Sequence, residues 1–166
     1  MINIRSIVES DLTKIHEWSN RQVSSYFLLE GLGFASLDEF YSEFNEPSSN
    51  EMIIETNSTQ QPIGMVKYVP SSCLDRKAEL FISIFEKQYF KCKESLEAAN
   101  LILKYLFNHE NLERIYSYVF EDEIELFELL TQVGLKKEGQ LREQSYFNGK
   151  YHDLLVLGIL RSELMS

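Results

Sequence analysis

Residues 78–109 read AELFISIFEKQYFKCKESLEAANLILKYLFNH, and the change of period inside this stretch decides the fold. Ala78 to Phe85 is an apolar run with β-branched and aromatic residues, the signature of a strand. A polar patch from Glu86 to Glu94 interrupts it, after which Leu96, Ala99, Leu103, Leu106 and Phe107 recur with helical spacing. The order is strand, loop, helix. In an α/β domain such a loop is where ligands, phosphates above all, settle, because free backbone N–H groups and the helix dipole point outward there. This loop holds no glycine.

The flanking chain extends the pattern on both sides. Ile2 to Val8 alternates like a first strand, and Ser10 and Asp11 offer N-caps for a short helix carrying Leu12, Ile15, His16 and Trp18 that ends near Asn20. A second short helix or turn is expected over Arg21 to Phe27, then a loop at Gly31 and Gly33. Ser36 opens a capping-box helix with Leu37, Phe40, Tyr41 and Phe44 that stops at Pro47. Met52 to Glu55 and Pro62 to Val69 flank a polar turn and read as an antiparallel hairpin. Beyond the long helix, Leu112 to Phe120 is a strand, and Glu123 to Val133 is an amphipathic helix with Gly134 as its stop. Leu135 to Phe147 and Lys150 to Leu160 are joined by Asn148-Gly149, which calls for a type I′ hairpin turn. Segregated hairpins around βα units define an α/β domain of the α+β kind, with a mixed, mostly antiparallel seven-stranded sheet flanked by helices.

Composition narrows the function classes. With 166 residues, 44% of them hydrophobic, the chain suits one domain, 1–166, with a substantial core. It has no apolar run of about 18 residues or more, and its start, MINIRSIVESD, alternates unlike a signal peptide. A soluble cytoplasmic protein is expected, with no membrane partner. The formal charge of −10, from 26 acids and 16 bases, repels nucleic acid and favours a cationic ligand such as an amine. Cys73 and Cys92 lack metal-ligand spacing, so free thiols, no disulfide and no metal site are expected.

Several stretches resemble the GNAT family of acyl-CoA N-acyltransferases, in particular its branch of ribosomal-protein alanine and related amino-sugar and amine acetyltransferases. They are AELFISIFEKQYFKCKES, LERIYSYVFE, VGLKKEGQLREQSYFNGKYHDLLVLGIL and IHEWSNRQVSSYF, in the family's order and over nearly the whole chain. The resemblance implies the GNAT fold and a cleft for acetyl-CoA between the fourth and fifth strands, its carbonyl polarised by amides near Ile84 and Phe85. The family's pyrophosphate loop, Q/R-x-x-G-x-G/A, matches Gln88-Tyr89-Phe90-Lys91-Cys92-Lys93, with Glu94 and Ser95 next. Both glycine positions are lysine. Where such a position takes positive φ, a lysine costs about 1–2 kcal/mol.

The resemblance also implies roles for single residues. Glu79 falls where several members keep a catalytic glutamate, and a strand-end ion pair with Arg76 or Lys77 is the competing reading. Glu123 takes the place of an Asn that meets the pantetheine arm, and Leu130 the place of a Tyr that protonates the departing thiolate. That acid would then be Tyr116, Tyr118 or a water. Trp18, Tyr26 and Phe27 resemble the segment bordering the acceptor site, and core packing explains them as well. His152 reads as a structural hydrogen-bonding group, Cys92 as an ordinary thiol, and Tyr105, Phe107, Tyr116, Tyr118 and Phe120 as core. Two functions follow. One is an acetyl-CoA-dependent N-acetyltransferase acting on a primary amine of a protein N-terminus, an amino sugar or a polyamine. The other is a catalytically impaired GNAT-fold binding or assembly subunit, motivated by the absent glycines, Asn and Tyr. A homodimer through the C-terminal hairpin is a further expectation from the family.

Overall fold

A computed structural model describes residues 1–21, 50–72 and 74–164. The expected turn or helix over 21–27 (beyond Arg21), the loop at Gly31 and Gly33, the helix from Ser36, Tyr26, Phe27 and Cys73 all lie outside the described residues.

The strands are β1 (Ile2–Ser6), β2 (Glu51–Thr56), β3 (Pro62–Ser72), β4 (Lys77–Ile84), β5 (Arg114–Phe120), β6 (Lys136–Phe147) and β7 (Lys150–Leu160). Among the described residues they form one sheet in the order β1-β2-β3-β4-β5-β7-β6, antiparallel throughout except for the parallel pair β4 and β5. The helices α1 (Leu12–Asn20), α2 (Lys93–Asn108) and α3 (Ile124–Gln132) connect them, and a short turn of helix, Arg161–Leu164, closes the described chain.

Local chemistry explains the boundaries. Asn148 and Gly149 both adopt positive φ, 50° and 79°, as the I′ turn between β6 and β7 requires. Gly134 takes φ 106° after α3, where its N–H donates to the Thr131 carbonyl and the Leu135 N–H donates to that of Leu130. That is a Schellman stop, and Leu130 and Leu135 meet in the core beside it.

The two faces of the sheet carry different cores. Ala78, Leu80, Ile82 and Ile84 of β4 and Ile115 and Val119 of β5 pack with Ala98, Ala99, Ile102 and Leu106 of α2 and with Leu129 and Leu130 of α3. On the opposite face Leu12, Ile15 and Trp18 of α1 pack with Ile53, Met65 and Phe85. The spacing of three in α1 turns one stripe to the sheet. An ion network fixes this corner: Arg5 donates to Asp11 at 2.6 and 2.9 Å and to Glu55 at 2.7 Å, and the Val8 amide adds a bond to Asp11 at 2.9 Å.

Candidate active site

β4 and β5 pair only at Lys77↔Arg114, Ala78↔Ile115 and Glu79↔Tyr116 and then part. A parallel pair that ends so early opens a wedge between two adjacent strands. The Phe85 N–H donates to the Ile63 carbonyl at 2.9 Å. By the alternation of an antiparallel ladder, Ile82 and Ile84 therefore turn their N–H and C=O groups towards β5, beyond the last paired register. Ile84 thus presents its amide to the wedge, whereas the amide of Phe85 is spent on β3. Ser117 marks the point of parting: its buried hydroxyl donates to the Leu80 carbonyl at 2.8 Å. The sequence held a signal for it, a lone hydroxyl between Ile115 and Val119 on the core-facing side of β5.

The mouth of the wedge is the Glu86-to-Ser95 loop. Gln88 lies exposed in a 3-10 turn, Lys87–Tyr89, and its carbonyl accepts the Cys92 thiol at 3.1 Å. Lys91 takes φ 57°, so one of the two glycine positions does need the left-handed region. Lys93 is already the first residue of α2 and carries no such demand. Lys91 reaches across to α3, its Nζ 3.0 Å from Glu128 Oε2, and this carboxylate raises the lysine's pKa. Cys92 is the N-cap of α2 and makes no side-chain capping bond, which leaves the first-turn amides open to an anion. Ser95 is buried and ties its hydroxyl back to the Cys92 carbonyl at 2.8 Å. Glu94, in the first turn, favours the helix dipole and opposes an anionic ligand.

The other expected residues are scattered around this wedge. Glu79 stands at its closed end, on the face away from α2 and α3, beside Tyr118. Burial raises the Tyr118 pKa, and the charge of Glu79 and then the Tyr116 ring raise it further. Arg76 is engaged by Glu113 at 2.8 Å and Lys77 by Asp75 at 3.2 Å. Glu123 is the N-cap residue of α3 and makes no side-chain capping bond; its Oε2 instead accepts the N–H of Phe120, the last residue of β5, at 3.0 Å. Leu130 is wholly buried, so no proton donor stands at that position.

Trp18 is 0% exposed and has no surface to offer a substrate. It stacks on Phe85 at 4.8 Å and donates its indole N–H to Glu86 at 3.0 Å. Sequence reasoning missed Glu86, which also meets Lys14 at 3.3 Å and Arg21 at 3.6 Å and so pins α1 to the end of β4. Burial works against the Glu86 charge, and these donors outweigh it, holding its pKa low. Of the aromatics read as core, Phe107 and Phe120 are buried, while Tyr116 and Tyr118 are half-buried and Tyr105 is exposed. Cys92 is a free thiol.

A parallel strand pair that parts above an uncapped helix N-terminus, with a loop lysine alongside, suits an elongated thioester bearing phosphates. That arrangement is compatible with the class of acyl-CoA-dependent transferases. Residues 4–156 match the acetyltransferase (GNAT) domain, and the chain belongs to that family. It is an N-acetyltransferase, and the family's acyl donor is acetyl-CoA. The chain is 27% identical to spermidine N(1)-acetyltransferase of Vibrio cholerae over 99% of its own length and 96% of the relative's. It is also 27% identical to the uncharacterized N-acetyltransferase YoaA of Bacillus subtilis, over 95% and 92%. Among solved structures, the Vibrio cholerae spermidine N-acetyltransferase in complex with CoA and spermine superposes with a TM-score of 0.86 at 26% identity, covering 99% of this chain and 98% of that one. A dodecameric structure of the enzyme from the same organism matches with a TM-score of 0.80 at 26% identity, covering 99% and 96%. None of these likenesses supports the reading of an impaired subunit.

Proposed function

We propose that this protein transfers the acetyl group of acetyl-CoA directly to a primary amine of a polyamine. The observation that carries the acceptor class is the likeness, over almost the whole chain, to a spermidine acetyltransferase whose structure holds CoA and spermine. The charge of −10 fits the same choice, since a polycationic acceptor is drawn to an acidic protein.

Acetyl-CoA supplies an activated acyl thioester. The Ile84 N–H is placed to hold its carbonyl oxygen, and the open amides of Cys92 to Ser95, with Lys91 and Lys93 beside them, suit the phosphates. Glu123 at the α3 cap lines the path of the pantetheine arm. Glu79 accepts the proton of the acceptor ammonium, directly or through water. Tyr118, a phenol that is protonated at neutral pH, serves as the acid in place of Leu130. Trp18 and Glu86 hold the end of β4 in position rather than touching the acceptor.

Calorimetric titration with acetyl-CoA, followed by an assay of spermidine, an amino sugar and an N-terminal peptide side by side, tests this. Binding of acetyl-CoA with turnover of spermidine at least tenfold above the other two is expected. No heat and no thermal shift at millimolar acetyl-CoA would sink the reading. Replacing Glu79 by Gln is expected to lower kcat at least a hundredfold with little change in acetyl-CoA affinity.

A further inference from the structure

Around the point where β4 and β5 part, the sheet face turned away from α2 and α3 stays open to solvent. Leu80, Ile82, Ser117 and Val119 are buried on the helix side, whereas Glu79, Phe81, Tyr116 and Tyr118, which alternate with them, each keep part of their surface in water. Val69, opposite Glu79 on β3, is 41% exposed. The core beneath α1 reaches Phe81 only at its edge. A wet sheet face favours small polar side chains, yet this one sets aromatic rings around a carboxylate.

The register fixes their arrangement. Glu79 lies opposite Tyr116, and two residues further along each strand Phe81 stands level with Tyr118, across the line of parting. The rings of Tyr116 and Tyr118 meet at 5.9 Å and 79°, so they form the walls of a corner rather than a stack. Tyr116 is steadied by its hydroxyl, 3.3 Å from that of Ser71, and the Arg114 guanidinium already lies 5.9 Å from its ring as a cation on a π system. The cations nearby are engaged: Arg114 with Glu138 at 2.7 Å, Lys67 with Glu51 at 3.0 Å and Lys77 with Asp75 at 3.2 Å. With those charges compensated, the patch takes its character from the Glu79 carboxylate and from the negative faces of the rings, a match for an alkylammonium ion. His152 takes no part in it: its ring is buried against Phe147 at 3.6 Å, and the hydrogen bond expected of it is absent at Nε2.

We propose that Glu79, Tyr116, Tyr118 and Phe81 form a seat for an ammonium group of the acceptor, recognised by its charge and by ring contact with its alkyl groups rather than through its N–H bonds. This rests on the amine-acetyltransferase reading above and adds that the seat also takes a quaternary alkylammonium ion, which has neither an N–H to donate nor a lone pair to attack a thioester.

The probe is hexamethonium, two trimethylammonium groups on a six-carbon chain, titrated by calorimetry into the protein with and without saturating CoA and added as an inhibitor of spermidine acetylation. Wild type is expected to bind it, and the inhibition to be competitive with spermidine and not with acetyl-CoA. Tyr116→Leu and Tyr118→Leu should weaken hexamethonium by about fivefold or more, while Tyr116→Phe and Tyr118→Phe, which keep the ring, stay within about twofold of wild type. Acetyl-CoA affinity should stay within about twofold in all four. No binding of hexamethonium by wild type, or leucine variants that bind it as tightly, overturns the inference. Should thermal unfolding show that the leucine variants do not fold, the wild-type competition decides, and inhibition that spermidine does not relieve overturns it. If hexamethonium binding depends on the rings while spermidine is not acetylated, the polyamine reading falls and the seat stands. If spermidine is acetylated and hexamethonium is ignored, the seat falls and the reading stands.

Discussion

Lys91 shows how one side chain can occupy a backbone position that favours glycine. At φ 57° it bears left-handed strain, and its ion pair with Glu128 is exposed at both ends, 60% and 43%, so the pair offsets little of that strain. Lys91→Gly is accordingly expected to raise Tm, as read by calorimetric unfolding. The Glu128 carboxylate competes with phosphate for the lysine. Glu128→Gln should tighten acetyl-CoA by about two- to fivefold at low ionic strength, the gain vanishing near 0.5 M salt; an unchanged affinity would show that Lys91 plays no part in binding. Asp11 is a second residue whose surroundings set its chemistry. Burial opposes its charge, and the Arg5 guanidinium and Val8 amide more than offset this, so its pKa is lowered. A carboxylate with a lowered folded pKa stabilises above its unfolded value, and that contribution is lost as pH falls through the folded one. Asp11→Asn should cost about 2 kcal/mol at pH 7 in urea unfolding, and the difference from wild type should shrink in acid.

Among the elements, the pairing of β5, β7 and β6 depends on a glycine in the middle strand. Arg114 of β5 reaches Glu138 of β6 at 2.7 and 2.5 Å over the top of Gly158, where an added Cβ would stand 2.5 Å from Glu138 Oε1 and 2.8 Å from Arg114 Nη1. The hydrogen bonds from Arg114, helped by its charge, keep the Glu138 pKa low. Gly158→Val is therefore expected to break the pair and destabilise by about 2 kcal/mol, measured by urea unfolding, with acetyl-CoA binding intact. Elements were also the scale at which the sequence was most legible. Asn148-Gly149 announced its turn, Gly134 its helix stop, and the period change between Phe85 and Leu96 its strand-loop-helix, because each depends on φ/ψ preference or side-chain spacing within a few residues. Ser117, Glu86 and the Lys91–Glu128 pair were less legible, since their meaning depends on partners far away in the chain.

At the scale of the whole molecule, 26 acids against 16 bases make a net negative field that draws polycations to the protein. KM for spermine should rise several-fold between 0.05 and 0.5 M salt while KM for a monoamine rises much less; equal salt dependence would remove the steering argument. No helix among the described residues is long and apolar enough to cross a membrane. Over the described residues the sequence by itself determined the order of strands and helices and the apolar face of each, because these rest on local period and on residue type, while the two lysines of the loop before α2 drew their meaning from the resemblance to the GNAT family. Only the tertiary structure decided where β4 and β5 part, that Lys91 rather than Lys93 takes the left-handed turn, that Trp18 is core, and that His152 Nε2 is buried without a partner. Each of those is fixed by strands and helices brought together from distant parts of the chain, and pairing, burial and the satisfaction of a polar atom exist only once they have met.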